Sequence, residues 1–327
     1  DKTLKDLAYS PCPQKTEEFL SKMEFNRLKA RAVKLFTKNE DVKQEYDIVE
    51  EVQSKQPLTY KNYMTVNKKE WFENWLKKLE KHKVFAIDTE TTSLNVMQAE
   101  LVGISLAVRA DEACYIPLTH KVDMLSQEGD QLDKAYVLEA LRPYLEDYRY
   151  TKIGQNIKYD MHIFYNEGIL LKGVEDTMLM SACLDGGLHG HGMDDLAERH
   201  LGHTCISFKE IAGTGKKQKT FDEISIAEAT PYAAEDADIT LQLYHIFKKR
   251  IESEGYEAVY KLYQTVEKPL IEVLMKMEHL GVVVDKDALQ ELSKTFQQRI
   301  QSHEKRIFEL ADAEFNVNSP KQLGEIL

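Results

Sequence analysis

The chain has 327 residues, of which 43% are hydrophobic and 30% are Asp, Glu, Lys or Arg. Its 55 acidic residues outnumber its 43 basic ones, giving a formal net charge of −12. That balance excludes a non-specific cationic coat for nucleic acid but leaves room for a local grip on a nucleic-acid end. No apolar run approaches the roughly 18 residues of a membrane span, and the first residues lack a signal-peptide pattern.

The length suits about two domains. The four cysteines, Cys12, Cys114, Cys183 and Cys205, are scattered. They form no Cys-x-x-Cys, which fits a reducing compartment better than a disulfide framework or a zinc site. The chain opens on Asp1, not Met, so a longer parent is expected.

Residues 1–36 read as helical and are too short to bury a core alone. Residues 37–59 are polar and without periodicity, and read as a linker. A short strand is expected at Tyr63–Val66, then a helix capped by Asn67 that carries Trp71, Phe72, Trp75, Leu76 and Leu79 as a core stripe. Val84-Phe85-Ala86-Ile87 reads as a strand covered on both faces. It runs directly into Asp88-Thr89-Glu90.

Leu101–Val108 and Ala113–Ile116 read as a hairpin joined at Arg109–Glu112. His120–Asp130 is polar and expected to be a surface loop. Leu132–Leu145 has helical spacing, with Pro143 near its end. Lys152–Gly154 is a further strand, and Gln155-Asn156 is expected to start a helix bearing Asp160. Asp176 caps the next helix. Gly186–Gly192 is glycine-rich and expected to be mobile, Met193–Leu201 returns to helix, and Gly213–Lys219 is a basic loop. A long helix runs from Ile226 or Pro231 to Ile251.

From Tyr256 the pattern becomes helical as far as Leu280, where Gly281 takes a C-cap position. Another long helix covers Asp287–Ala311, and Ser319-Pro320 opens a last one. The order of elements predicts an α/β domain built on a mixed sheet with helical flanking segments.

Side chains alternate along a strand, so Asp88 and Glu90 share a face. Two like charges there repel and lose hydration, and oxygen-seeking divalent cations relieve both costs. Asp160 adds a carboxylate near a helix start. Tyr232 and Asp236, four apart on the long helix, share a side. Asp88, Glu90, Asp160 and Asp236 together offer ligands for two divalent cations, the arrangement that activates a water and stabilises a leaving oxygen in phosphodiester hydrolysis. Magnesium suits these ligands, with manganese as a substitute. An unperturbed phenol titrates near 10, so Tyr232 suits orienting a water better than deprotonating it.

Asp88-Thr89-Glu90, Gly154-Gln155-Asn156-Ile157-Lys158-Tyr159-Asp160 and Tyr232-Ala233-Ala234-Glu235-Asp236-Ala237-Asp238 resemble, in order, the three motifs of the DEDD exonucleases with a tyrosine in the third. Met193–Arg199 and Phe208–Gly213 narrow the resemblance to the 3′-5′ proofreading domain of bacterial family A DNA polymerases. It covers residues 60–255.

The resemblance implies a ribonuclease H-like fold and release of nucleoside monophosphates from a frayed or single-stranded DNA 3′ end. It also implies roles. Asp88 would bridge two metals, Glu90 and Asp236 would complete the tighter site, Asp160 would hold the second ion through water, and Tyr232 would place the attacking water. Leu94 would wedge beside the terminal bases. Gln155, Asn156, Tyr159 and Phe208 would contact the single strand.

By the same resemblance, residues 1–36 would be the tail of a 5′-nuclease domain and 256–327 the start of a polymerase domain lacking palm and fingers. The remainder of the parent polymerase would be a partner in cis. The expected setting is a monomer in the bacterial cytoplasm, at the nucleoid, with no membrane. Gly190-His191 departs from a basic position of the family.

Rival signals are weaker. His189, His191, His200 and His203 read as solvated, with His200 and His203 on adjacent helical positions and no zinc spacing completed. Gly213-Thr214-Gly215-Lys216 lacks the glycine and hydroxyl residue of a phosphate loop. Two competing functions are an RNA-trimming exonuclease of the same superfamily and a catalytically silent DNA-binding or spacer module.

Overall fold

The structure, a computed structural model, describes residues 13–22, 29, 63–121, 131–215 and 218–327. The expected linker, most of the expected tail, residues 122–130 of the loop and Lys216-Lys217 lie outside the described residues. The chain divides into one unit of residues 1–279 and a second of 280–327.

A six-stranded sheet organises the first unit. Its strands are β1 (Met64–Thr65), β2 (Val84–Thr91), β3 (Leu101–Arg109), β4 (Glu112–Pro117), β5 (Thr151–Gly154) and β6 (Val174–Asp176). The order is β1-β4-β3-β2-β5-β6. β2, β3 and β4 pair antiparallel, while β1 on β4 and β5 and β6 beside β2 are parallel. β2 therefore sits in the middle.

Alternation along β2 sends its side chains into two different cores. Phe85 and Ile87 pack with Phe72, Trp75 and Leu79 of α2 (Lys69–His82), with Val137 and Leu141 of α3 (Lys134–Leu145), and with Ile163 and Phe164 of α4 (Lys158–Asn166). Ala86 faces the other way, with Ala107, Ala113 and Ile153. There it meets Met180 of α5 (Thr177–Asp185), Leu196 of α6 (Met193–Leu201), and Ala234 and Ala237 of α8 (Ile226–Ile251). The alanines on both surfaces let α8 approach the sheet closely, and 16 of its 26 residues are buried. Between α6 and α8 lie α7 (Phe208–Ala212) and a short 3₁₀ turn, Phe221–Glu223.

After α8 come α9 (Glu257–Leu262), a π-helical turn at Tyr263–Glu267, and α10 (Lys268–Leu280). The second unit, considered by itself, contains α11 (Lys286–Ala311) and α12 (Pro320–Ile326). Gly281 is left-handed at φ 67°, as a helix-ending glycine should be. The most N-terminal described element is α1 (Pro13–Lys22).

Several expectations are corrected. α2 is preceded by Lys68 in extended conformation with no side-chain cap, so Asn67 is not the N-cap. α4 begins at Lys158, because Asn156 has φ 60°, a left-handed turn that helix interior excludes. Of the two starts expected for α8, the helix takes Ile226, with Pro231 inside it and Ser225 as the cap, whose side chain accepts from Glu228 N. His120 is buried, not part of a solvated loop: it bonds Tyr115 Oη at 2.6 Å and the Ile224 carbonyl at 2.9 Å. Among the described residues, no helix is long and apolar enough to cross a membrane.

Candidate active site

Asp88 and Glu90 follow the parity of Ala86 and face α8. Asp236, on α8, meets them. One carboxylate oxygen from each of Asp88, Glu90 and Asp236 lies within 4.8 Å of the others. Thr89, of the opposite parity, turns to the face covered by α4 and clamps Asp160: its N–H and hydroxyl both donate to Asp160 Oδ1, at 3.0 and 2.6 Å. The three-residue end of β2 thus supplies two carboxylates and positions a third.

Burial dominates the electrostatics. Glu90 is 8% exposed, Asp236 8% and Asp160 2%. Loss of hydration pushes Asp88 up to about 7. Glu90 is raised well above the ordinary carboxylate range by burial, then by the charges of Asp88, Asp236 and Asp160. Burial and the Asp88 charge likewise raise Asp160 and Asp236. Glu90 Oε1 and Asp236 Oδ1 are buried with no hydrogen-bond partner. Unpaired acceptors at one point of mutual repulsion are a costly arrangement for a metal-free fold, and an all-oxygen donor set of this kind fits a hard divalent cation.

Tyr232 lies one turn before Asp236. Burial, then the charges of Asp236, Glu90 and Asp88, raise its phenol far above the ordinary value. The hydroxyl therefore keeps its proton and acts as a donor; its hydrogen bond to Asp236 pulls that carboxyl back down. The ring sits in an aromatic group centred on Phe221, 6.0 Å from Tyr232 and 6.4 Å from Phe208, which it stacks.

The residues expected at the DNA strand are spread around this centre. Leu94 is 93% exposed, just past the end of β2. Tyr159 donates to the Ser93 carbonyl at 2.7 Å and meets the Thr91 hydroxyl, which ties down the turn leading to Leu94. Asn156 is exposed in its left-handed turn. Gln155 has both amide ends engaged within the protein, donating to the His191 carbonyl at 2.8 Å and accepting from the Thr177 hydroxyl at 2.5 Å. Phe208 is half-buried against Phe221 and Tyr232.

Residues 63–252 match the family described as 3′-5′ exonuclease, the type found in family A DNA polymerases. The chain belongs to this family. It is 44% identical over 259 residues to DNA polymerase I of Pseudomonas aeruginosa, covering 78% of this chain and 28% of that protein. With DNA polymerase I of Rhizobium leguminosarum it shares 41% identity over 285 residues, 83% of this chain and 28% of the relative. The chain thus spans 28% of the length of these relatives. Among solved structures it resembles the POL domain of Pol1 from M. smegmatis in complex with DNA primer-template and dNTP. That likeness has a TM-score of 0.61 over 81% of this chain and 40% of the other, at 20% identity, and is one of fold. The mixed sheet with helices on both faces is the expected ribonuclease H-like α/β arrangement.

Within the exonuclease domain, sequence reasoning missed several residues that build the centre. Thr89 is one. Asp176 is another: besides capping α5 through Met178 N and Leu179 N, it accepts from Asn156 N and Ile157 N at the start of α4, the helix of Asp160. Gly103 is a third, since a Cβ there would come within 2.1 Å of the Tyr115 hydroxyl. Nor are the histidines all solvated. His203 lies beyond the end of α6, is buried, and bonds Glu235 at 2.7 Å, next to Asp236. Glu235 also accepts from Ile206 N at 2.6 Å, fixing the approach to Phe208. Apart from the capping of α5 by Asp176, these contacts join residues separated by a dozen or more positions, and local spacing carries no trace of them.

Proposed function

We propose that this domain hydrolyses the terminal phosphodiester at a DNA 3′ end by metal-dependent chemistry, releasing nucleoside monophosphates as the proofreading function of a DNA polymerase I. The observation that carries the reading is the convergence of Asp88, Glu90 and Asp236 within 4.8 Å, with buried unpartnered oxygens, in a chain of the 3′-5′ exonuclease family.

Asp88, Glu90 and Asp236 would hold one divalent cation, and Asp88 with Asp160 would hold the second. Bound magnesium or manganese supplies an activated water and charge neutralisation at the leaving oxygen. Thr89 fixes the rotamer of Asp160 through two hydrogen bonds. Tyr232, protonated and hydrogen-bonded to Asp236, would accept a hydrogen bond from the attacking water through its hydroxyl oxygen and so position it; it does not remove the proton. Leu94 presents an apolar side chain to the last base step, and Phe208 a ring face for stacking. A frayed end is favoured over a paired one, because the end must enter single-stranded and unstacking costs a few kcal/mol.

The wider reading rests on the relatives. Residues 1–36 are the tail of a 5′-nuclease domain, 37–59 a linker, 60–255 the exonuclease domain, and 256–327 the helical entry to a polymerase domain that acts in cis. The parent works as a monomer in the bacterial cytoplasm.

The test uses DNA oligonucleotides labelled at either end, single-stranded and duplex, with an RNA control, each with magnesium and with chelator. Metal-dependent shortening from the 3′ end, faster on single strands and weak on RNA, is the expected result. Absence of cleavage would leave a silent binding module; strong RNA trimming would make the substrate RNA.

A further inference from the structure

We propose that Asp185, His189 and His200 form a zinc site separate from the carboxylate centre. Asp185 is the last residue of α5, His200 lies in the last turn of α6, and His189 belongs to the glycine-rich loop between them. One ligand-capable atom from each lies within 4.8 Å of the other two. The site is sheltered: the Asp185 and His189 side chains are 8% and 9% exposed. The His200 ring packs edge-on against Phe247 with centroids 5.0 Å apart.

The hydrogen bonds of His189 decide the chemistry. Its Nδ1 is 2.6 Å from the Gly190 carbonyl, and its Nε2 is 3.3 Å from Asp185 Oδ2. Both neighbours are acceptors, whereas a neutral imidazole carries one proton. In the tautomer whose proton sits on Nδ1, the Nε2 lone pair faces a carboxylate oxygen. A cation between them removes the conflict. A backbone carbonyl on the far nitrogen is also the arrangement that orients a metal-ligating histidine.

The carbonyl ends of α5 and α6 add partial negative charge. Two imidazoles and a carboxylate, with water in the fourth position, match zinc and not magnesium.

Arg250 opposes the ion. Its guanidinium donates to both oxygens of Asp185, at 2.9 and 2.5 Å; burial raises that carboxyl, but the contacts with Arg250 and then His189 hold it below its ordinary range. Zinc would share Oδ2 with Arg250, which makes the site weaker than a closed four-ligand one. The competing arrangement is the direct hydrogen bond between His189 and Asp185. An ion here would fasten the loop whose His191 carbonyl holds Gln155, beside the segment leading to Asp160.

The test titrates zinc into the full chain near neutral pH, with excess magnesium covering the carboxylate centre and a colorimetric chelator reporting free zinc. Cobalt then replaces zinc for a visible spectrum. The expected result is one equivalent per chain with an imidazole-ligated cobalt spectrum, and affinity reduced by about ten-fold or more in His189→Asn and in His200→Asn. The wild-type cobalt spectrum decides even if a variant folds poorly. Equal affinity in both folded variants would overturn the proposal, as would no zinc uptake by the wild-type chain.

Discussion

Asp176 and Asp236 are both buried aspartates, 2% and 8% exposed, and their surroundings are opposites. Asp176 accepts four backbone N–H groups, from Asn156, Ile157, Met178 and Leu179, at 2.9 to 3.3 Å. Asp236 leaves Oδ1 without a partner and faces the charges of Asp88 and Glu235. A satisfied buried carboxylate holds two helix starts together; an unsatisfied one among other carboxylates is an arrangement that a divalent cation would relieve. Burial alone does not distinguish them. The hydrogen-bond accounting does.

The comparison predicts opposite responses to substitution, and the largest is at Asp236. Asp236→Asn should slow 3′ cleavage on the order of 10³-fold, while the metal-free melting temperature stays level or rises as repulsion is relieved. A cooperative fold lost in this variant would make Asp236 structural. Asp176→Ala should behave inversely. It strands four N–H groups and should cost about 2–4 kcal/mol in urea unfolding, with the folded fraction still cleaving. Tyr232→Phe removes one oriented O–H and should slow turnover about 10- to 100-fold without changing metal affinity. Unchanged turnover would remove its role.

The smallest expected effect is on pH dependence without metal. Asp88 titrates near 7 in the folded chain and in the ordinary carboxylate range when unfolded. Between those values the folded state binds more protons, so this group costs nothing below the lower value and destabilises increasingly as pH rises toward the upper one. Metal-free melting temperature should therefore fall across this window, the reverse of a salt-bridged carboxylate. Magnesium should restore most at the upper end, and Asp236→Asn should flatten the slope.

Much of the fold was legible because its signals are local. Alternation through Phe85-Ala86-Ile87 into Asp88-x-Glu90 fixed which carboxylates share a face, and the four-residue spacing of Tyr232 and Asp236 did the same on α8. What escaped was short or long-range. β6 has three residues and too little pattern to register. Gln155-Asn156 resembles a helix start by composition, but the left-handed φ of Asn156 makes it a turn held by Asp176 from 20 positions away. Thr89 looks like filler between two acids; only the packing of α4 reveals its grip on Asp160. His120 sits among polar neighbours in sequence, and its burial depends on Tyr115 and Ile224.

Metal binding by the carboxylates on β2 and α8 is what the proposed chemistry requires first. Counting bound manganese by electron paramagnetic resonance tests it most directly, in the wild-type chain, in Asp236→Asn and in Asp176→Asn. Uptake that is lost in Asp236→Asn and retained in folded Asp176→Asn is the predicted result. Equal uptake in all three proteins would contradict it.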